Sequence, residues 1–148
     1  MITVNEEQII AEARRAVHEL WTSPSEEAEG DRQARAATQT WQQRLDDLEP
    51  GQFLREVPAG PDLREQIDLL HVATATAFEL KVSGNNPHHE FYKDLVKVLV
   101  YNRHNEPKLQ RFVFIVPQKA ADRLARSLAK YAIELAAELG LEVRIAGI

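Results

Sequence analysis

The C-terminal third of the chain carries the pattern that most constrains the fold. Residues 112–116 are an uninterrupted apolar run that ends at Pro117, which is typical of a strand buried on both faces. The alanine-rich residues 118–139 predict a long helix that Gly140 ends, and residues 141–145 predict a last strand. A strand, a helix and a strand in this order form a parallel, right-handed crossover. We therefore expect an α/β fold with a mixed central sheet flanked by helices.

The rest of the chain predicts the other elements of such a fold. Residues 6–21 and 24–49 have the apolar spacing of amphipathic helices. Three strands in a meander are predicted for residues 52–58, 66–72 and 77–83. Residues 90–102 predict a mostly buried helix, with a strand as the alternative because of their β-branched content. The predicted order is two helices, three strands, a helix, a strand, a helix and a strand.

Length and composition predict one domain. A chain of 148 residues buries roughly two-thirds of its unfolded surface in a single core. We expect one domain over 1–148, with a helical segment over 1–50 and an α/β core over 52–148. The absence of cysteine excludes disulfides, thiolate metal sites and thiol nucleophiles. Since we find neither a secretory signal nor a membrane span, we expect a soluble, cytoplasmic protein.

The net charge of -5 is unevenly distributed along the chain. Residues 1–80 hold 7 Lys/Arg and 16 Asp/Glu, whereas residues 81–130 hold 10 Lys/Arg and 4 Asp/Glu. A basic segment of this kind is compatible with a polyanionic partner. The alternative is that acidic N-terminal helices simply pack beside basic ones. Both interpretations stay open at this point.

Two carboxylates and a lysine lie on the second and third predicted strands. Glu79 and Lys81 alternate with apolar residues, so they share one face of their strand. Asp68 lies on the preceding strand, and its carboxylate shares that face if the register pairs it with Glu79 or with Lys81. The Cβ atoms would then be about 5 Å apart. A slip of one residue would turn Asp68 to the other face.

Such a cluster has a specific chemical use. Burying a carboxylate and an ammonium group costs several kcal/mol unless they are paired or bind an ion. Two adjacent carboxylates repel each other, and Mg²⁺ relieves this repulsion with few protein ligands and retained waters. A lysine beside the ion can orient a water, assist its deprotonation and stabilise charge on a phosphate. The cluster therefore suits phosphodiester hydrolysis; the alternative is an internal salt bridge between Glu79 and Lys81.

In this context, residues 52–148 resemble the PD-(D/E)XK nucleases, the restriction-endonuclease-like superfamily. The resemblance implies an αβββαβαβ core, in which residues 24–49 supply the leading helix and residues 6–21 an extra N-terminal one. It implies that Asp68, Glu79 and the backbone carbonyl of Leu80 hold Mg²⁺, with Mn²⁺ able to substitute. It also implies that Lys81 serves the attacking water.

The chain departs from the family pattern in two places. Ile67 stands where the family has a proline before the aspartate, a position without a chemical role. The family's helix after the Glu-x-Lys strand often carries Gln-x-x-x-Tyr, whereas this chain has Lys97 and Tyr101. Many members also use an acid from the leading helix, and nothing in the sequence selects among Asp46, Asp47 and Glu49.

Basic residues on two helices are predicted to contact nucleic acid. Four of them recur at helical spacing on the predicted helix over 118–139, and such a stripe gives salt-dependent affinity for phosphates. A solvated surface is the alternative. Another face of this helix is expected to pack on the sheet through Leu124, Leu128, Tyr131 and Leu135. The predicted nucleic-acid contacts are Lys93, Lys97, Lys119, Arg123, Arg126 and Lys130.

These features predict a metal-dependent nuclease that hydrolyses phosphodiester bonds, in DNA rather than RNA. The resemblance implies a role in restriction, phage defence or repair. Because a 148-residue chain has little surface for reading a base sequence, we expect a homodimer or a subunit of a larger system. Two alternatives remain. One is a catalytically silent nuclease-like module that binds a partner protein or nucleic acid, which the net negative charge favours; the other is a structural α/β interaction domain of another topology.

Overall fold

The structure is a computed structural model that describes residues 3–148. It is an α/β fold in which five strands form one mixed sheet. The helices are α1 (Glu6–Leu20), α2 (Glu27–Leu48), α3 (Pro87–His104), α4 (Gln118–Ala125) and α5 (Ala129–Glu138). The strands are β1 (Phe53–Pro58), β2 (Gln66–His71), β3 (Thr76–Leu80), β4 (Arg111–Val116) and β5 (Glu142–Gly147). A short 3-10 turn, Val72–Thr74, joins β2 to β3.

The strands lie side by side in chain order, from β1 to β5. Each of the first two pairings is antiparallel, and β3, β4 and β5 are parallel to one another. The predicted meander of three strands is therefore confirmed, and so is the parallel arrangement of the last two strands. Residues 90–102 lie in α3, which confirms the helix and excludes the strand that was its alternative.

Helices cover both faces of the sheet and form two cores. On one face, α1 and α2 pack against apolar residues of the sheet such as Phe78 and Val113. Trp41 of α2 is fully buried there, and its indole N–H donates to the carbonyl of Ile9 in α1 at 3.0 Å. On the other face, α3, α4 and α5 cover residues such as Phe112. This second face also carries the polar cluster described below.

Two predicted boundaries differ from the structure. Helix α2 begins at Glu27 rather than at residue 24, since Glu26 is the N-cap and has an extended backbone. Strand β3 ends at Leu80, three residues earlier than the predicted 77–83. Lys81 therefore follows the end of the strand. Its backbone N–H still donates to the carbonyl of Ile115 in β4 at 2.8 Å, so the main chain stays attached to the sheet at this point.

The single helix predicted for residues 118–139 is wrong, because the chain forms α4 and α5 with a break between them. Ser127 explains the break: its hydroxyl donates to the carbonyl of Leu124 at 2.7 Å and accepts from the N–H of Ala129 at 3.1 Å. Such side-chain hydrogen bonds compete with the helical ladder. The basic residues Lys119, Arg123, Arg126 and Lys130 are exposed but do not follow one continuous helix face.

The apolar face expected to pack on the sheet is also mostly wrong. Leu124 is fully buried, but Leu128, Tyr131 and Leu135 are half or more exposed. The residues that α5 does bury include Ala129 and Ala136. Small side chains on the inner face of α5 leave its large apolar residues on the outside.

Within residues 3–148, no helix combines the length and the apolar character needed to cross a bilayer.

Candidate active site

The register of β2 and β3 brings Asp68 and Glu79 together. The ladder pairs Leu69 with Phe78 and Leu70 with Ala77, so the next position outward sets Asp68 opposite Glu79. The backbone N–H of Asp68 donates to Glu79 Oε1 at 3.2 Å. This is one of the two registers that the sequence analysis required.

The carboxylate of Asp68 is also held in place by the neighbouring strand. The backbone N–H of Leu80 donates to Asp68 Oδ2 at 3.0 Å. From the other side, Gln42 of α2 donates its side-chain amide to the carbonyl oxygen of Asp68 at 2.8 Å. Helix α2 thus supports this position through an amide rather than through an acid. Of the three acids considered on that helix, Asp46 lies 3.8 Å from Arg55 and Glu49 contacts His71 at 2.7 Å.

Lys81 points toward α3 and meets several carboxylates there. Its Nζ lies 3.1 Å from Asp94 Oδ2, 3.2 Å from Glu90 Oε2 and 4.0 Å from Glu79 Oε2. Asp94 is fully buried, whereas the side chain of Lys81 keeps 22% of its exposure. The predicted trio of Asp68, Glu79 and Lys81 therefore occupies one polar cluster under α3.

Lys97 lies inside this cluster. It was expected to contact nucleic acid at the surface, but its side chain is buried and paired with carboxylates of the cluster. Its Nζ lies 2.6 Å from Glu79 Oε1 and 2.9 Å from Asp94 Oδ1, and it donates to the carbonyl of Gln66 at 2.7 Å. The residue is 8% exposed. Lys93 is different: its side chain is 43% exposed and contacts Glu90 at 3.2 Å from the solvent side.

Sequence reasoning missed Glu90 and Asp94 as members of the site. Their spacing was the available signal, because Glu90, Asp94 and Lys97 recur at four and three residues and share one face of α3. That face is polar within an otherwise apolar helix. A polar helix face normally points to solvent, but here part of it covers the carboxylates of the sheet.

The cluster holds more acidic than basic groups. Burial raises the pKa of Glu79 well above its ordinary value, and the negative charges of Asp68 and Asp94 raise it further, against the effect of Lys97. Burial acts to lower the pKa of Lys81, but the carboxylates of Asp94, Glu79 and Asp68 outweigh burial and raise it. The neighbouring carboxylates thus act to raise the pKa of both groups, whereas burial raises the pKa of Glu79 and opposes the rise in the pKa of Lys81.

Several oxygens of the cluster have no aligned hydrogen-bond donor among the described residues. These atoms are Glu79 Oε2 and both carboxylate oxygens of Asp94, even though lysine nitrogens lie at ion-pair distance from them. Glu79 Oε2 is the least satisfied of these atoms, because its lysine neighbour lies 4.0 Å away, and a hard cation is one ligand that would satisfy a buried oxygen of this kind. The oxygen-only donor set and the excess negative charge both fit Mg²⁺.

The structure also limits how such an ion could be held. Within residues 3–148, no group of three or more His, Asp or Glu side chains is arranged to bind a metal ion. A cation between Asp68 and Glu79 would therefore need the backbone carbonyl of Leu80 and water as its other ligands. Mg²⁺ accepts this, because it keeps several waters when one or two carboxylates bind it.

A cleft of about 430 Å³ adjoins the cluster between α3 and the loop that joins β1 to β2. Lys97 and Lys93 line it from α3, together with His89. Among the other basic residues predicted to contact nucleic acid, Arg123 reaches the loop that follows β3, where it donates to the carbonyl of Gly84 at 3.1 Å. Besides Lys97, Lys93 thus lies at the edge of the cluster, and Arg123 contacts the loop that follows β3.

Comparisons with known proteins assign the chain to no family. No family model matches it, and neither the curated proteins nor the solved structures give a match.

Proposed function

We propose that this protein is a metal-dependent nuclease that hydrolyses phosphodiester bonds, with DNA as its first candidate substrate. The observation that carries the proposal is the contact between Asp68 and Glu79, in which the N–H of Asp68 donates to Glu79 Oε1 at 3.2 Å, with Lys81 Nζ 4.0 Å from Glu79 Oε2. Two carboxylates and a cationic side chain within one poorly solvated cluster are the groups that such a reaction needs.

Each residue has a distinct role in this proposal. Asp68, Glu79 and the carbonyl of Leu80 would hold Mg²⁺ or Mn²⁺. When bound, such an ion supplies Lewis-acid activation of a phosphate and of a water. Lys81 remains protonated, because neighbouring carboxylates raise its pKa. It therefore orients the attacking water and stabilises charge on the phosphate, rather than accepting a proton itself.

The arrangement of elements supports the same proposal. The order of strands and helices from α2 to β5 agrees with the αβββαβαβ core that the PD-(D/E)XK resemblance implies, apart from the division of its last helix into α4 and α5. Fold alone does not assign activity. For this reason the proposal depends on the cluster, and the fold serves as secondary support.

A catalytically silent nuclease-like module is the second candidate, and one contact favours it. Lys97 already places an ammonium nitrogen 2.6 Å from Glu79 Oε1, so a cation of the protein itself compensates part of the negative charge. The net charge of -5 also disfavours binding to a polyanion. A silent module would bind a protein or nucleic acid without using Glu79 and Lys81.

A cleavage assay separates the two candidates. We expect the parent protein to cut plasmid or single-stranded DNA with Mg²⁺ or Mn²⁺ and not with EDTA, and RNA is tested in parallel. Lys81→Met and Glu79→Gln should each lose at least about 100-fold in rate, because each removes a group that contacts the reacting atoms. Lys108→Met is the matched control, since Lys108 is exposed, pairs with Glu106 outside the cluster and is not among the predicted nucleic-acid contacts.

The outcomes of this assay are distinct. Cleavage that survives at the parental rate in both Lys81→Met and Glu79→Gln would remove the proposed site. A parent that binds DNA but cuts none of the substrates with either metal would favour the silent module.

Metal binding is tested separately by thermal unfolding. A ligand that binds only the folded state at about 100 times its Kd adds about 2.7 kcal/mol of stability. We expect Mg²⁺ or Mn²⁺ to raise the Tm of the parent and to raise that of Asp68→Asn much less. The asparagine keeps an acceptor for the N–H of Leu80, so the β2–β3 contact survives. Equal shifts in the two proteins would count against a cation at Asp68.

A further inference from the structure

The outer face of α5 exposes four large apolar side chains in a row. Leu128, Tyr131, Leu135 and Leu139 are 69%, 50%, 60% and 72% exposed. Their spacing of three and four residues places them on one side of the helix, over a length of about 16 Å at 1.5 Å per residue. We call these four residues the α5 stripe. Contiguous exposed apolar surface of this kind marks an interaction site.

The chain does not use the stripe for its own packing. Helix α5 rests on the core through Ala129 and Ala136, which are buried, and through Ala132 and Ile133, which are partly buried. Its large apolar side chains therefore point away from the sheet.

Charged residues flank the α5 stripe in a pattern that is complementary to itself. Lys130, Glu134 and Glu138 recur every four residues and so lie along one side of α5, positive at its beginning and negative at its end. Within residues 3–148, none of the three forms an ion pair. Lys130 lies over the ring of Tyr131, with its Nζ 5.0 Å from the ring centre.

We propose that the protein forms a homodimer in which two α5 stripes pack against each other in antiparallel orientation. With the two-fold axis beside residue 133, Tyr131 lies opposite the partner's Leu135. Lys130 is then displaced by about 3 Å along the helix axis from both the partner's Glu134 and the partner's Glu138. A parallel pair would instead set the charged side of each helix against the opposite side of its partner, which carries Ala132 and Ala136, so Lys130 would meet no acid there. The charges therefore select the antiparallel arrangement, which is the self-complementary one of a two-fold dimer.

The size of the surface predicts the strength of this dimer. A stable complex buries about 800 Å² on each partner, and one face of a short helix provides less. We therefore expect a reversible dimer that dissociates on dilution. This inference does not depend on the chemistry of the candidate active site.

Sedimentation over a range of protein concentrations tests the interface. We expect the mass to rise from 16.8 kDa for the monomer to about twice that value at high concentration. Leu135→Glu should keep the protein monomeric and folded, because Leu135 is exposed in the monomer. Leu54→Glu is the matched control: Leu54 is 49% exposed on β1, at the other edge of the sheet, and its replacement should leave association unchanged.

A charge exchange tests the orientation. Lys130→Glu makes the side of the stripe wholly acidic, and the double variant Glu134→Lys with Glu138→Lys makes it wholly basic. We expect each variant to associate more weakly than the parent, and the two variants to form a mixed dimer when combined. A parent that is monomeric at every concentration, or a dimer that persists in Leu135→Glu, would overturn the interface. Failure of the two charge variants to pair would overturn the antiparallel arrangement.

Discussion

Replacing Lys97 by methionine is expected to lower the free energy of unfolding of the metal-free protein by about 3–5 kcal/mol. The ammonium group of Lys97 contacts Glu79, Asp94 and the carbonyl of Gln66 at distances of 2.6–2.9 Å. Methionine fills a similar volume but leaves these oxygens without their cation. Urea denaturation in the presence of EDTA measures the loss.

The sign of the excess charge explains why removal of this lysine should cost so much. Asp68, Glu79, Glu90 and Asp94 already outnumber the cations inside the cluster, and Lys97→Met increases the imbalance by one charge. The matched control is Lys93→Met, which breaks the ion pair between Lys93 and Glu90 at the surface and should change stability by less than about 1 kcal/mol. Similar losses in the two variants would show that Lys97 does not neutralise a buried cluster.

The same substitution is expected to strengthen metal binding by at least about tenfold, which corresponds to 1.4 kcal/mol. Under the proposed function, the cation and the ammonium group of Lys97 compete for Glu79. Lys97→Met removes the ammonium group from Glu79 Oε1, which keeps only the N–H of Asp68, and makes the site more negative. Calorimetric titration of the parent and of the variant with Mg²⁺ and Mn²⁺ compares the two affinities, with no need for a substrate.

A matched control and a clear contrary result are available here too. Lys93→Met also removes one positive charge, but at the solvent edge, so it should change the metal affinity much less. An affinity in Lys97→Met that equals or falls below that of the parent would mean that the cation does not use Glu79. In that case Lys97 would be a permanent structural partner of the carboxylate, as the silent-module candidate requires.

Strand alternation in the sequence predicts that Glu79 and Lys81 share a face, but it includes Asp68 only under a particular register. It could not choose the register, since residue 68 faces one side or the other depending on a single step in the pairing. The observed ladder, which pairs Leu69 with Phe78, makes that choice.

The contributions of α3 could not be predicted in the same way. Helical spacing shows that Asp94 and Lys97 share a face, but it does not show which layer that face will meet. Polar residues on a helix usually face water, and a sequence alone therefore predicts Lys97 at a surface that binds nucleic acid. The structure turns it inward, because the carboxylates of the sheet supply the charge that makes a buried lysine tolerable.

The error in the last helix has a different origin. Large apolar residues were expected to face the sheet because they have the most surface to bury. Helix α5 instead buries Ala129 and Ala136, and the hydroxyl of Ser127 interrupts the helix just before them. Hydrophobic spacing describes a continuous helix, so it carries no information about how two shorter helices rotate relative to each other.

The short turn over Val72–Thr74, followed by Ala75 in a left-handed conformation with a φ of 49°, sets the pairing of β2 with β3. Its length thereby decides whether an acid or an aliphatic residue stands opposite Glu79. One residue more or fewer in this connection would bring Ile67 or Leu69 to that place and turn the aspartate toward the other layer of helices. A segment that contributes no side chain to the candidate site thus works as the spacer that brings its two carboxylates together.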